Sequence, residues 1–169
     1  VMMYVSMIFS AAFIGYSIGI APVIGFHNGA RNHAELKGLL RKSVLLLTIC
    51  GLAMLGAAEA LAAPLARIFV GYSEALTEMT AHGFRIFSLS FFFMGFAIFA
   101  SGFFTALNDG LTSALISFLR TLVFQTAAVV GLSLLLGLDG IWYSVVVAEA
   151  AAVAFSALFL GLKRKKYHY

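Results

Sequence analysis

The fold of this chain can be inferred from residues 43–66, SVLLLTICGLAMLGAAEALAAPLA. Glu59 is the one charged residue in this run. A helix needs about 20 apolar residues to cross a hydrocarbon core of about 30 Å. Transmembrane β-strands are shorter, about ten residues, and alternate apolar with polar positions. The length of the run therefore predicts a transmembrane α-helix and argues against a barrel.

Four more apolar runs accompany this one. The predicted spans cover residues 1–25, 43–66, 84–107, 114–136 and 141–162, and a basic tail follows at 163–169. We therefore expect an all-α membrane protein with about five transmembrane helices. The chain opens at Val1 inside an apolar run, without a polar flank, which we interpret as the sign of a piece of a longer polypeptide.

Composition excludes a soluble enzyme or binding domain. Of the 169 residues, 62% are hydrophobic and 11% are charged, whereas soluble domains have about 45–50% and about 25%. A soluble fold of about 150 residues still exposes roughly 30% of its chain's surface, too much to hide this apolar content. The single cysteine, Cys50, excludes an intramolecular disulfide and a cysteine-based zinc site. No cofactor is expected.

The basic residues indicate the orientation in the membrane. They cluster in the segment after the first span and in the tail, at Arg31, Lys37, Arg41, Lys42, Lys163, Arg164, Lys165 and Lys166. Five spans place both clusters on one side, and loops rich in Lys and Arg stay in the cytoplasm. We therefore predict a cytoplasmic C-terminus. Membrane topology accounts for the positive charge, so the expected partner is the lipid bilayer and not nucleic acid.

Short connections are expected between the spans. Asn108-Asp109-Gly110 and Leu138-Asp139-Gly140 are turn signals between antiparallel helices. Residues 32–42 mix apolar and charged residues at helical spacing, which predicts a helix in the inner membrane interface. Ser73 is the predicted N-cap of a short outer helix that leads into the third span.

Polar residues inside the spans are the candidates for the substrate or ion pathway, because charges in a bilayer face the bundle interior or water. Glu149 is interpreted either as a proton- or cation-binding carboxylate or as a structural hydrogen-bond partner. Arg120 either extends to the membrane surface or forms an inner-gate salt bridge or substrate contact. Gln125 is expected to join helices or to contact a ligand. Glu59 is expected to pair with Arg67 near the outer surface.

One motif of enzymes occurs at Gly15-Tyr16-Ser17-Ile18-Gly19, which matches the G-x-S-x-G nucleophile elbow. That elbow requires a strand before it and a helix after it, whereas here it lies within an apolar helix. We interpret Gly15 and Gly19 as a close-packing face between helices. No nucleophile–base pair or metal-ligand spacing is found, so an enzyme is not expected.

Two stretches carry a family resemblance. Residues 17–44, SIGIAPVIGFHNGARNHAELKGLLRKSV, resemble multidrug and toxic compound extrusion (MATE) transporters, with the match centred on Pro22, Gly25, Asn28, Gly29, Ala30 and Asn32. Residues 103–149 resemble the same family, from the opening FFTALNDG through Ser117–Arg120 to Gly137–Trp142. The second stretch is most similar to the bacterial branch of DinF- and MepA-type drug exporters.

The resemblance implies a transporter of twelve helices in two six-helix bundles, of which this chain would be the last five. The missing N-terminal bundle of the same polypeptide would be a partner. Transporters built from such repeats hold substrate between the halves and rock one half against the other. In this setting Pro22 would bend the first span near its inner end, and Asn28 and Gly29 would allow a tight turn. The motif as a whole, with Gly25 and Ala30, would then have an architectural role.

One departure concerns ion coupling. In one branch of the family a carboxylate in the third helix of this region helps to bind the coupling cation, but residues 84–107 contain no Asp or Glu. In the other branch the acid lies in the first bundle. Glu149 is then the local candidate for the proton or sodium ion.

The resulting hypothesis is secondary active efflux of organic, often cationic and amphipathic, compounds by proton or sodium antiport. The expected location is the bacterial inner membrane. Two alternatives stay open: a lipid-linked saccharide flippase of related architecture, and a membrane scaffold subunit without transport activity.

Overall fold

The computed structural model describes residues 2–169, and Val1, the first residue of the first predicted span, lies outside the described residues. Within that range five helices are long and apolar enough to cross a membrane, which confirms the predicted all-α class. The first three are α1 (Met2–Gly29), α2 (His33–Val70) and α3 (Glu74–Ala106). The fourth span combines α4 (Gly110–Phe118), a π-helical segment (Leu119–Phe124) and α5 (Gln125–Leu136), and α6 (Leu138–Tyr167) is the fifth.

The helices extend beyond the predicted apolar runs. At 1.5 Å per residue, the 38 residues of α2 are about 57 Å long, roughly twice the hydrocarbon thickness. The predicted interfacial segment 32–42 is almost entirely the start of α2, with Asn32 as its N-cap, and no separate helix. The predicted outer helix is likewise the start of α3, and α6 continues through most of the basic tail.

Tight turns join the helices where residues adopt positive φ angles. Arg31 (φ 54°) follows α1, Asn108 (φ 62°) follows α3, and Gly137 (φ 62°) separates α5 from α6. Asn28 and Gly29 of the family motif are still helical, so the first turn falls just after them. The third turn also comes slightly earlier than the predicted Leu138–Gly140, which is already helical.

Helix α3 is the central element of the bundle. Its buried phenylalanines form the middle of the apolar core: Phe84, Phe91, Phe99, Phe103 and Phe104. Helix α6 packs against α3 and carries a stripe of small buried residues four apart, Ser144, Ala148, Ala152 and Ser156. Small residues allow two backbones to approach closely, which is the usual source of helix association in membranes.

The close contact between α1 and α3 depends on glycines of α3. A Cβ atom at Gly95 would lie 2.6 Å from the ring of Phe13, and one at Gly102 would overlap the hydroxyl of Ser17. Gly15 and Gly19, predicted to form this packing face, are both exposed, and a Cβ atom at either would have no neighbour within 4 Å among residues 2–169. That prediction is wrong for this range, because the small residues lie on the opposite helix.

Candidate functional site

The most buried acid of the spans, Glu149, is paired with Arg120. The guanidinium Nε donates to both carboxylate oxygens at 3.0 Å, and Nη2 donates to Oε1 at 2.7 Å. The side chain of Glu149 is 8% exposed and that of Arg120 is 23% exposed. The two candidate residues therefore form one bidentate ion pair between the fourth and fifth spans, with both carboxylate oxygens engaged.

Local helix geometry positions the two partners. Glu149 lies near the middle of α6, next to Ala148, and its carboxylate contacts Arg120 of the fourth span. Arg120 lies in the π-helical segment Leu119–Phe124. Such segments are rare inside α-helices and are frequent at functional sites.

Pairing changes the interpretation of both residues. Arg120 turns sideways to Glu149, so it does not extend to the membrane surface. Two opposite charges in contact give a site with no net charge, and a bidentate Arg–carboxylate pair is among the strongest polar contacts. Removing either partner would strand the other charge, which is the main source of the cost of breaking a buried pair.

Arg120 also lines a polar cleft. The cleft has a volume of about 250 Å³ and lies over α3, between α1 and the fourth span. Its polar walls are Ser10, Ser101, Ser117 and Arg120, and its apolar walls are Ile14, Ala97 and Ile98. The ion pair is therefore accessible from this cleft on the side of the guanidinium group.

A chain of hydroxyl groups continues from the cleft toward the end of α3. Ser101 Oγ lies 2.8 Å from Ser117 Oγ and 2.9 Å from Ser113 Oγ, and Thr105 Oγ1 lies 2.7 Å from Ser113 Oγ. Sequence reasoning missed this network, although its signal was present. Thr105 with Ser113, and Ser101 with Ser117, are equidistant from Asp109, where the helical hairpin turns.

Two other polar residues of the spans lie apart from this site. Gln125 is partly buried and makes no side-chain hydrogen bond to another residue in the range 2–169. Glu59 accepts a hydrogen bond from Ser88 of α3. The predicted pair of Glu59 with Arg67 is wrong, because Glu59 faces α3 and Arg67 is exposed at the end of α2.

A second buried acid, Asp109, joins helices at one end of the bundle. Its Oδ1 accepts from the amide of Thr112 at 3.2 Å, and its Oδ2 accepts from Tyr167 at 2.9 Å and contacts Lys163 Nζ at 3.2 Å. Burial raises the pKa of Asp109, but these hydrogen bonds outweigh it and lower the pKa to about 2. The end of α6 is thereby fastened to the turn between α3 and α4.

The opposite end of the bundle is held more loosely. His82 Nε2 lies 3.4 Å from Asp139 Oδ1, and both side chains are more than half exposed. A surface depression of about 510 Å³ lies at this end beside Arg67, Glu74 and Glu78. None of the described residues that line the depression is a buried polar group. Elsewhere within residues 2–169, too, no three His, Cys, Asp or Glu side chains come together as metal ligands.

Comparison with known proteins gives one match. Neither a curated protein nor a solved structure matches the chain. The MatE family model matches residues 1–131, which include Arg120 and the hydroxyl chain but not Glu149. MatE proteins are membrane transporters rather than enzymes, and five membrane-spanning helices suit that role. This chain belongs to the MatE family.

Proposed function

We propose that this chain is part of a secondary exporter of organic compounds, driven by proton or sodium antiport, in which Glu149 and Arg120 form the coupling element. The observation that carries the proposal is the bidentate Arg120–Glu149 pair beside a polar cleft in the middle of the spans. Charged residues at that depth usually belong to an ion or substrate pathway.

The net charge of the Arg120–Glu149 pair explains how the coupling ion and an organic cation exclude each other. With Glu149 ionised, the pair has no net charge, and the hydroxyl oxygens of the cleft can accept hydrogen bonds from an organic cation. A proton that binds the Glu149 carboxylate converts it to a neutral acid and leaves the charge of Arg120 uncompensated. A sodium ion that takes the place of the guanidinium group has the same effect. The site then carries one net positive charge.

The magnitude of this repulsion is large enough for coupling. Two unit charges about 6 Å apart, at an effective dielectric constant of about 20, repel by about 3 kcal/mol, or about a hundredfold in affinity. The coupling ion and a cationic substrate thus cannot occupy the site together. Mutual exclusion of this kind is what antiport requires.

The same geometry favours an organic cation over a lipid-linked saccharide. A flippase for such lipids would need free positive charge to meet phosphate groups. Arg120 is the one basic residue more than a full turn inside a predicted span, and Glu149 neutralises it. We propose no role for Gln125 beyond the expected helix contact or ligand contact. Pro22, Gly25, Asn28, Gly29 and Ala30 keep their proposed architectural role in the first span and its turn.

The wider setting is also part of the proposal. The chain would form the last five helices of a twelve-helix transporter of the DinF/MepA-like branch in the bacterial inner membrane. The rings of His33 and His168 lie 5.1 Å apart, so the start of α2 and the end of α6 are at one end of the bundle. That arrangement supports the prediction that both basic clusters, and the C-terminus, face the cytoplasm.

Transport in inverted membrane vesicles tests the proposal. Vesicles that contain the natural full-length protein are given a proton or a sodium gradient, and accumulation of a fluorescent organic cation is followed. We expect Glu149→Gln to lower gradient-driven accumulation at least about tenfold, since the amide cannot take up the coupling ion. Expression should be retained.

Glu59→Gln is the matched control, because Glu59 is also an acid within a span and the amide oxygen can still accept from Ser88. It should transport like the unmodified protein. Unchanged accumulation in Glu149→Gln would return Glu149 to a structural role. Absence of accumulation by the unmodified protein under either gradient would overturn the proposed antiport.

A further inference from the structure

Basic side chains from two helices surround a pair of adjoining cavities at the end of the bundle where the C-terminus lies. Lys37 and Arg41 come from α2, and Arg164 and Lys165 come from α6. The cavities measure about 280 Å³ and about 420 Å³ and share Lys37, Arg164 and Tyr169 in their walls. Topology signals explain why these residues are on one side of the membrane, but not why they converge on one pocket.

No acidic side chain among residues 2–169 lines this pocket to balance its basic side chains. Over residues 2–169, none of Lys37, Arg41, Arg164 and Lys165 forms a salt bridge, whereas Lys163 and Lys166, on another face of α6, contact Asp109. Burial raises the pKa of Tyr169, so its phenol stays neutral and adds no negative charge. The pocket is therefore suited to an anion.

The floor of the pocket is firmly built. The Tyr169 side chain is buried, its ring packs on Phe103 at 5.2 Å, and its hydroxyl donates to the carbonyl oxygen of Leu160 at 3.0 Å. This docked residue holds the end of α6 against the core. The cavity beside it therefore has one fixed wall.

The position of the pocket along the helices indicates a lipid. The smaller cavity is also lined by Leu40, Leu160 and Gly161. Leu160 and Gly161 belong to the predicted span 141–162, and Arg164 and Lys165 follow directly after it. Apolar walls thus meet basic side chains at the level where acyl chains meet headgroups. Basic pockets between transmembrane helices at this level bind anionic headgroups.

We propose that this pocket binds the phosphate headgroup of an anionic phospholipid, with its acyl chains along Leu40 and Leu160. The lipid would bridge α2 and α6 and stabilise this end of the bundle. A lipid with two phosphates, such as cardiolipin, matches two adjoining cavities that share basic walls. A free phosphate offers the same headgroup chemistry but makes no use of the apolar walls.

Lipid binding to the purified full-length protein tests the proposal directly. The protein in neutral detergent is titrated with cardiolipin, phosphatidylcholine or inorganic phosphate, and bound lipid is counted by native mass spectrometry. We expect cardiolipin to be retained and the other two not. The double variant Lys37→Gln/Arg164→Gln should weaken cardiolipin binding about thirtyfold, which corresponds to about fivefold for each charge removed near the surface.

The matched control removes two exposed basic residues elsewhere, Arg67→Gln/Arg85→Gln, and should bind cardiolipin like the unmodified protein. Arg164→Lys, which keeps the charge, should retain most of the binding. Equal losses in the pocket and control variants would overturn the proposal, as would retention of phosphatidylcholine equal to that of cardiolipin. Equal binding of inorganic phosphate would assign the site to a free anion and overturn the lipid. Because binding is measured without transport, these outcomes are independent of the antiport proposal.

Discussion

The two buried acids of the bundle, Glu149 and Asp109, have equally covered side chains, each 8% exposed, but very different surroundings. Among residues 2–169, Glu149 has one side-chain partner, Arg120, inside the spans. Asp109 has four, a backbone amide, a tyrosine and two lysines, at the end of the bundle. A contact with one partner can be broken by one event, whereas a contact with four persists when any one is lost. Under the proposed mechanism, Glu149 is the acid that changes its partner and Asp109 is the one that keeps its contacts.

Among the substitutions that test this comparison, removal of Arg120 should have the largest effect on stability and transport. Arg120→Leu strands a buried carboxylate, and breaking one side of a buried ion pair costs about 3–5 kcal/mol. We expect the free energy of unfolding in detergent to fall by about that amount, toward the lower end because Arg120 is partly exposed. Gradient-driven transport should be lost as well. A change below about 0.5 kcal/mol, the usual size for a surface substitution, would show that the pair adds nothing to the fold.

Substitution of Asp109 should have a smaller effect. In Asp109→Asn the amide oxygen can still accept from Thr112 or Tyr167, and what is lost is the charge that faces Lys163. We expect a loss of about 1.5–3 kcal/mol in the free energy of unfolding, the range for a hydrogen bond to a charged group. Transport should stay close to that of the unmodified protein. Loss of transport without loss of stability would make Asp109 part of the working machinery.

The two lysines that face Asp109 should differ from each other. Lys163 lies 3.2 Å from Oδ2 and is 30% exposed, whereas Lys166 lies 3.9 Å away and is 61% exposed. Solvent screens the more exposed ion pair more strongly, so Lys166→Gln should change the free energy of unfolding by less than Lys163→Gln does. Parallel chemical denaturation of both variants measures the difference. The reverse order would contradict the geometry.

The smallest expected effect is the dependence on pH of the stability that Asp109 contributes. The pKa of Asp109 is lowered from 3.8 to about 2. A lowered pKa gives stability that is complete well above 3.8 and is lost as the pH falls toward 2. Between about pH 5 and about pH 8, therefore, the difference in stability between Asp109→Asn and the unmodified protein should not change by more than a few tenths of a kcal/mol. A marked change over that range would mean that Asp109 is not ionised as described.

Much of the fold could be predicted from hydropathy, because the bilayer requires long apolar helices. Five helices long and apolar enough to cross a membrane contain the five predicted apolar runs, and the turns at Asn108 and Gly137 lie within a few residues of the predicted connections. The helix ends were not, since the polar starts of α2 and α3 and the basic end of α6 remain helical outside the apolar core. Hydropathy marks the part of a helix that contacts lipid and not the whole helix.

The site was only half predictable for a geometric reason. A hairpin brings together residues equidistant from its turn, and that rule would find the serine pairs about Asp109. Applied to the turn at Gly137, the same rule places Gln125 opposite Glu149. It would therefore exclude Arg120 as the partner of Glu149. The structure pairs Arg120 instead, because its long side chain leaves a π-helical segment whose residues do not follow α-helical spacing. No pattern in the sequence predicts that segment.

The central claim is that the contact between Arg120 and Glu149 breaks when the coupling ion binds. Its most direct test is transport by the double variant Arg120→Met/Glu149→Leu. Replacing a buried ion pair by apolar residues of similar volume is often neutral or stabilising. We predict that this variant regains the stability lost in Arg120→Leu but shows no gradient-driven transport, because no group is left to take up the coupling ion. Transport restored together with stability would contradict the account and make the pair a structural link between two helices.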